Sequence, residues 1–241
     1  LFMLIQTKAI VLHTLKYNDT SLIAHCYAEA IGKQSFTLKE ILSARKGGIR
    51  KAYFLPLTQL EIQFQHKNKG GLNFLKEVKV LHPYQQLYTD IKKNAIVLFL
   101  SEIVYKSLKE EETNPLLFEF LENAFLWLDS NEDIANFHLL FLLKLTQFLG
   151  FYPYQDEEDG HYFNLESGCF TSSIPLAKHI KGSSAQLLRE LLGMNFAGIK
   201  TPKINQHSRR ELLEAMVNYF ELHLLGFSKP KSLSILHDVF D

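Results

Sequence analysis

Four cations fall within seven residues at Arg45-Lys46-Gly47-Gly48-Ile49-Arg50-Lys51. The glycine pair lets the backbone bend close to a ligand, and the flanking cations can meet phosphate oxygens with a salt-sensitive affinity. A second basic group comes from period-two alternation after Gly32, which puts Lys33, Ser35, Thr37 and Lys39 on one strand face and Gln34, Phe36 and Leu38 on the other. If these surfaces adjoin, Lys33, Lys39, Arg45, Lys46, Arg50 and Lys51 form one polyanion-binding patch. Tyr53 and Phe54 follow the loop, and one of them is placed to stack on a base. Their alternation assigns at least one to a strand core. A solvated strand-connecting loop is the plainer alternative for the whole segment.

Other chemistries find less support. His161 and Cys169 lie beside the acidic run Asp156 to Asp159, but a structural zinc site needs four ligands and usually a close cysteine pair, which is lacking. A solvated acidic hairpin fits that run better. No phosphate-loop, nucleophile-elbow, His-Glu-x-x-His or dinucleotide glycine pattern occurs, so no catalytic residue is assigned and the chain reads as a non-enzyme. His138 sits in the most apolar helix, where a core imidazole is commoner than a catalytic base. Glu110, Glu111 and Glu112 read as a wet helix end.

Charge is distributed unevenly. Lys and Arg number 26, as do Asp and Glu, yet residues 1–82 hold 12 cations against 5 anions and residues 83–180 hold 6 against 15. The first segment alone therefore favours a nucleic acid or other polyanion. With 46% hydrophobic residues the chain is globular, and its length accommodates two domains. Cys26 and Cys169 form no disulfide framework, and no secretory leader is evident, so a reducing cytoplasm is expected. The apolar run from Phe137 to Leu149 is shorter than the roughly 20 residues of a membrane helix.

The positioning elements follow from periodicity. Strands are expected at Thr7 to Leu15, Ser21 to Ala28, Gly32 to Lys39, Gln59 to Gln65 and Leu72 to Leu81, with Tyr53 and Phe54 in a further extended stretch. Five strands in about 80 residues suit a small antiparallel barrel of the oligonucleotide-binding (OB) kind. After His82-Pro83 the period becomes helical, over 87–110, about 115–129 and about 134–149, the last ended by Gly150 and buried almost all round. Residues 151–180 lose periodicity. Ser183 or Ser184 and then Ser208 are candidate caps for two later helices, and a final helix begins near Ser232. The expected class is α+β: an OB barrel over 1–82 and a mainly helical domain over 83–241, with an irregular insert at 151–180.

In their order, several stretches resemble the bacterial RecO family of DNA repair and recombination proteins across nearly the whole chain. They are Thr7 to Leu12, the Gly32-Lys33 strand, the basic Ala44 to Lys51 loop running into Leu55-Pro56-Leu57, Leu149-Gly150-Phe151, and Gly226 to Ser232. The resemblance implies an OB fold and a helical domain that bind single- and double-stranded DNA and anneal complementary strands. It also implies work with RecR to load RecA onto DNA coated by single-strand-binding protein, whose acidic, Phe-ending tail such proteins bind. The DNA role transfers to the six basic residues above, and Lys229 and Lys231 are candidates for the tail. Many family members carry a four-cysteine zinc site after the central helix. Here only Cys169 remains in that segment, so no metal or other cofactor is expected, and Tyr162, Phe163, Leu165 and Phe170 are expected to form an apolar staple instead. The competing reading is an interaction adaptor whose basic barrel meets an acidic protein.

Overall fold

The computed structural model describes residues 3–42, 49–66, 71–109, 112–154, 160–196 and 205–240. Compact units span residues 1–129 and 130–241. The first begins with β1 (Met3–Lys16), β2 (Leu22–Ala28), β3 (Gly32–Leu38), β4 (Gln59–His66) and β5 (Asn73–Val80), closed into a barrel in the order β1-β2-β3-β5-β4. This is the expected OB arrangement. Its β3–β5 closure, through Phe36 with Asn73 and Thr37 with Phe74, is parallel, while the other four strand pairs are antiparallel. Ala9, Val11, Ala24, Cys26, Phe36, Ile62 and Phe64 alternate inward, and the Phe36 and Phe64 rings meet edge to face at 5.0 Å.

Tyr53 and Phe54 are not in a strand. Residues Lys51–Phe54 make a single 3-10 turn between β3 and β4, which drops Phe54 into the barrel core with Tyr53 half-buried against it. Past that turn Leu57 is fully buried at a φ of 63°, its N–H donating to Val11 O at 2.7 Å. Two phenols hold this bend: Tyr88 donates to Pro56 O at 3.0 Å and Tyr84 to Leu57 O at 3.3 Å. Burial pushes both hydroxyls well above the usual phenol range, Tyr88 to about 12.

Helices α1 (Ile91–Ser107) and α2 (Pro115–Ser130) pack with the barrel, which is why Ile10 and Leu12, on the outer face of β1, are buried as well. The period changes at His82-Pro83, but compactness carries the first unit on to residue 129. The Asp129 carboxylate accepts from the Gln85, Gln86 and Leu87 N–H groups at 2.8 to 2.9 Å. Lys93, only 2% exposed, donates to Asp129 O at 2.7 Å and Gln86 Oε1 at 2.6 Å, so this lysine is an internal brace.

In the second unit α3 (Phe137–Leu149) is the buried centre, as its continuous apolar run predicts, and Gly150 ends it in the left-handed conformation at φ 83°. Helices α4 (Gly182–Leu192) and α5 (Gln206–His223) pack on it, and α6 (Leu233–Phe240) follows. The expected serine caps are replaced: Asn205 accepts from Ser208 N–H at α5, and Ser183 and Ser184 lie inside α4, where Ser184 bonds Ser208 O and the Glu211 carboxylate. The stretch expected to be irregular contains a small sheet of β6 (Tyr162–Asn164), β7 (Cys169–Thr171) and β8 (His179–Lys181), in the order β7-β6-β8. Three-residue strands are too short for alternation to reveal.

Candidate nucleic-acid interface

Strand pairing brings one end of the barrel together. Leu22 at the start of β2 faces Leu38 at the end of β3, and Thr37 faces Phe74 at the start of β5. Two further bonds join the β1–β2 turn to the chain leaving β3: Leu42 N–H to Thr20 O at 3.0 Å and Glu40 N–H to Ser21 Oγ at 3.4 Å. This rim therefore gathers Tyr17, Lys39 and Phe74, all exposed; Arg50 and Lys51, later in the chain, are exposed too. Arg45 and Lys46 lie outside the described residues. OB barrels take oligonucleotides on the outer face of strands 2 and 3 and on the adjoining 1–2 and 4–5 loops.

The opposite half of that outer face is covered by this chain's own helices. Lys33 Nζ donates to Tyr105 O at 2.8 Å and Leu108 O at 3.1 Å, where the last carbonyls of α1 lack intrahelical partners, and lies 4.2 Å from the Tyr105 ring centroid. Ser35 Oγ is paired with His25 Nδ1 at 2.8 Å, and the His25 ring rests 5.1 Å from Tyr105. The Tyr27 hydroxyl accepts from Asn114 N–H at 3.1 Å. Of the face read as two lysines and two hydroxyls, Lys33 thus holds α1, Ser35 is bonded to His25, Thr37 is buried, and Lys39 stands on the exposed rim. The structure does not bring Lys33 and Lys39 into one patch.

Charge within the first unit is more balanced than the barrel alone suggests. Residues 1–129 hold 16 cations against 13 anions, because α1 and α2 bring carboxylates to the barrel's side. Lys8 pairs with Glu122 at 2.9 Å, and that hydrogen bond raises the lysine above its usual range against the opposing cost of burial. Gln59 Nε2 donates to Glu122 O at 2.9 Å beside it. Glu122 lies on the helix-covered side, whereas Lys39 lies with the β3 end.

In the second unit, Lys229 sits 3.8 Å from Glu221, and both it and Lys231 are exposed. Exposed Leu222 lies at the end of α5 and exposed Leu225 just past it. The staple residues do pack: Phe163, Leu165 and Phe170 are buried, with Phe163 5.1 Å from Phe170 and 5.7 Å from Tyr219, while Tyr162 stacks edgewise on His179 at 5.5 Å. Cys169 directs its thiol to Ser167 O, and no group of three or more His, Cys, Asp or Glu gathers among the described residues. The residues present do not fit a four-thiolate zinc site; Asp156 to Asp159 lie outside the described residues. His138 is buried, its Nδ1 without a hydrogen-bond partner among the described residues, and burial with the charge of Arg209 depresses the imidazole to about 3. It is a neutral core ring. Among the described residues no helix is long and apolar enough to cross a membrane.

An OB barrel continued by helices defines the class: an α+β protein headed by an oligonucleotide-binding fold. Residues 3–84 match the family model described as Recombination protein O N terminal, and residues 88–233 match Recombination protein O C terminal. The chain belongs to the RecO family. It is 44% identical over 238 residues to the DNA repair protein RecO of Christiangramia forsetii and 44% over 241 residues to that of Flavobacterium johnsoniae, covering 99% of this chain and all of each relative. The DNA repair protein RecO of Bacteroides fragilis is 37% identical over 243 residues, with the same coverage.

The stretches that carried the resemblance are mostly structural. Gly32 has φ 71°, and a Cβ there would meet the Glu112 backbone at 2.6 Å, so glycine permits the approach that Lys33 then secures. Leu55-Pro56-Leu57 is the bend held by Tyr84 and Tyr88. Phe151, after Gly150, packs against Tyr219, Phe220 and His223. Phe227, after Gly226, lies 5.5 Å from Phe220.

Proposed function

We propose that this protein is a non-catalytic mediator of DNA repair by recombination, whose barrel rim holds single- and double-stranded DNA while its helical region holds protein partners. What supports the reading is an OB barrel with Lys39 exposed on its rim, in a chain that matches its relatives over full length. Lys39, Arg45, Lys46, Arg50 and Lys51 neutralise phosphates of two strands, lowering their repulsion so that complementary bases can pair. Lys33 is left out, because its ammonium already satisfies α1 carbonyls. Annealing then gains rate from local concentration and charge screening, with no bond made or broken, and phosphate contacts make it sequence-tolerant. RecR and RecA loading onto coated DNA are assigned by the family resemblance. The acidic tail of single-strand-binding protein is assigned to Lys229 and Lys231, with exposed Leu222 and Leu225 near the end of α5 as the apolar contact. The apolar cluster of Phe163, Leu165 and Phe170 takes the structural place of zinc, so purified protein should carry no stoichiometric metal. Such a protein would act in the cytoplasm, at the nucleoid.

The test is annealing of complementary strands coated by single-strand-binding protein, with and without RecR. Full-length protein should accelerate it, and the double reversal Arg50→Glu/Lys51→Glu should lose more rate than Lys92→Glu/Lys109→Glu, an equal charge change on exposed sites of α1 and just beyond it. Equal losses would remove the rim's special status. Binding to an acidic protein with no DNA shift at low salt would favour an adaptor instead.

A further inference from the structure

Phosphate neutralisation explains the cations of the rim but not its aromatics. Phe74 is 40% exposed at the start of β5, across from Thr37 in β3 and Gln65 in β4. The Lys39 ammonium lies 4.6 Å from its ring centroid. Tyr17, 58% exposed, stands in the β1–β2 turn at the same end of the barrel. The two aromatics the sequence offers for stacking, Tyr53 and Phe54, are half-buried and buried in the barrel's own packing. Phe74 therefore supplies an accessible aromatic where an OB barrel meets a nucleic-acid strand.

We infer that Phe74, with Lys39 beside it, is a stacking platform for an unpaired base, and that this platform makes the rim prefer single-stranded over double-stranded nucleic acid. In a duplex both faces of each base are covered by neighbouring pairs, so only a single strand or a splayed end can offer a face to the ring. Stacking is sequence-tolerant because every base has a π face. Lys39 gives the platform its second half. An ammonium held over the ring in the free protein can turn to the phosphate of the nucleotide whose base displaces it, so one ligand engages both groups. Lys76, two residues on and exposed, continues the cationic line along β5. Both strands of the β1–β2 turn are two strand spacings from β5 around the closed sheet, about 10 Å at ~4.8 Å per strand, so a bound strand crossing the rim from Phe74 can reach Tyr17.

This inference rests on the reading that the barrel rim binds DNA, and the variants separate the two. Full-length wild type, Phe74→Leu, Phe74→Trp and Arg50→Glu/Lys51→Glu are titrated with a thymine oligonucleotide and with a mixed-sequence duplex at one salt concentration. Leucine keeps apolar bulk and removes the π face, and an unchanged urea midpoint shows that the fold is intact. Phe74→Leu should weaken oligonucleotide binding roughly tenfold and leave duplex binding within about twofold. Phe74→Trp should retain binding, and its fluorescence should be quenched by the oligonucleotide above the Trp127 background. Wild-type oligonucleotide affinity in Phe74→Leu, an equal loss for both ligands, or an unquenched tryptophan at saturation would overturn the platform. If Phe74→Leu binds normally while the double reversal is impaired, the platform fails and the DNA-binding rim stands. If the double reversal also binds both ligands normally, both readings fall.

Discussion

Lys33→Met discriminates a structural lysine from a phosphate ligand. The wild-type ammonium makes two charged hydrogen bonds to carbonyls at the end of α1 and lies over the Tyr105 ring. A hydrogen bond to a charged group is worth about 1.5 to 3 kcal/mol net, a cation at a helix C-terminus about 0.3 to 1, and an exposed cation–π contact about 0.5 to 1. These belong to one half-buried group and do not add, so the expected loss is about 2 kcal/mol. Methionine keeps the apolar stem, which confines the change to the charge. The single tryptophan, Trp127 on α2, belongs to the first unit and reports its unfolding. With a urea slope near 2 kcal/mol per M, the midpoint should fall by about 1 M at unchanged slope. DNA affinity, scored on folded protein, should keep its salt dependence. A midpoint equal to wild type, together with a salt slope reduced by about one, would make Lys33 a phosphate ligand and refute its structural assignment.

Other outcomes follow from single contacts. Gly32→Ala combines a positive φ with a collision against the Glu112 backbone, so it should cost at least about 2 kcal/mol in the same urea titration. A loss under half that size would mean the approach is not tight. His138 is held neutral to about pH 3 when folded but titrates near 6.5 when unfolded, so below 6.5 the unfolded state binds the extra proton and stability falls. From pH 7 to pH 5 that linkage removes about 2 kcal/mol, and His138→Leu should lose that much less over this range by helix circular dichroism. Identical pH profiles would show that the imidazole is not buried neutral. Tyr88→Phe removes the bond to Pro56 O and the pairing with Thr58 Oγ1, and should lower stability by about 1 kcal/mol, read from the urea midpoint.

The barrel was legible because its strands bury one face: Leu60, Ile62 and Phe64 alternate with half-wet residues, and Gly150 marks the end of α3. Periodicity could not show that Tyr53 and Phe54 close a 3-10 turn, since two adjacent aromatics alternate in any conformation. Nor could it show the β6–β8 sheet, whose strands are shorter than one reliable repeat. The candidate site was harder to read than the fold. Spacing assigns Lys33 and Lys39 to one strand face, but β3 ends at Leu38, and only the packing of α1 shows that Lys33 is taken up by helix carbonyls while Lys39 stands on the rim. Phe74 was hidden for the same reason. An aromatic in a strand is usually core, and its exposure depends on where β5 begins beside β3.

DNA held by phosphate neutralisation on the barrel rim must show it in the salt dependence of binding. Affinity of the full-length protein for an oligonucleotide, measured from low to physiological salt, should fall steeply, by about 0.7 log units per log unit of salt for each single-strand phosphate contacted. Arg50→Glu/Lys51→Glu should flatten that slope by at least the two contacts removed, and oligonucleotides of different sequence should give the same line. Affinity that is indifferent to salt, or a double reversal with the wild-type slope, would exclude phosphate neutralisation at the rim.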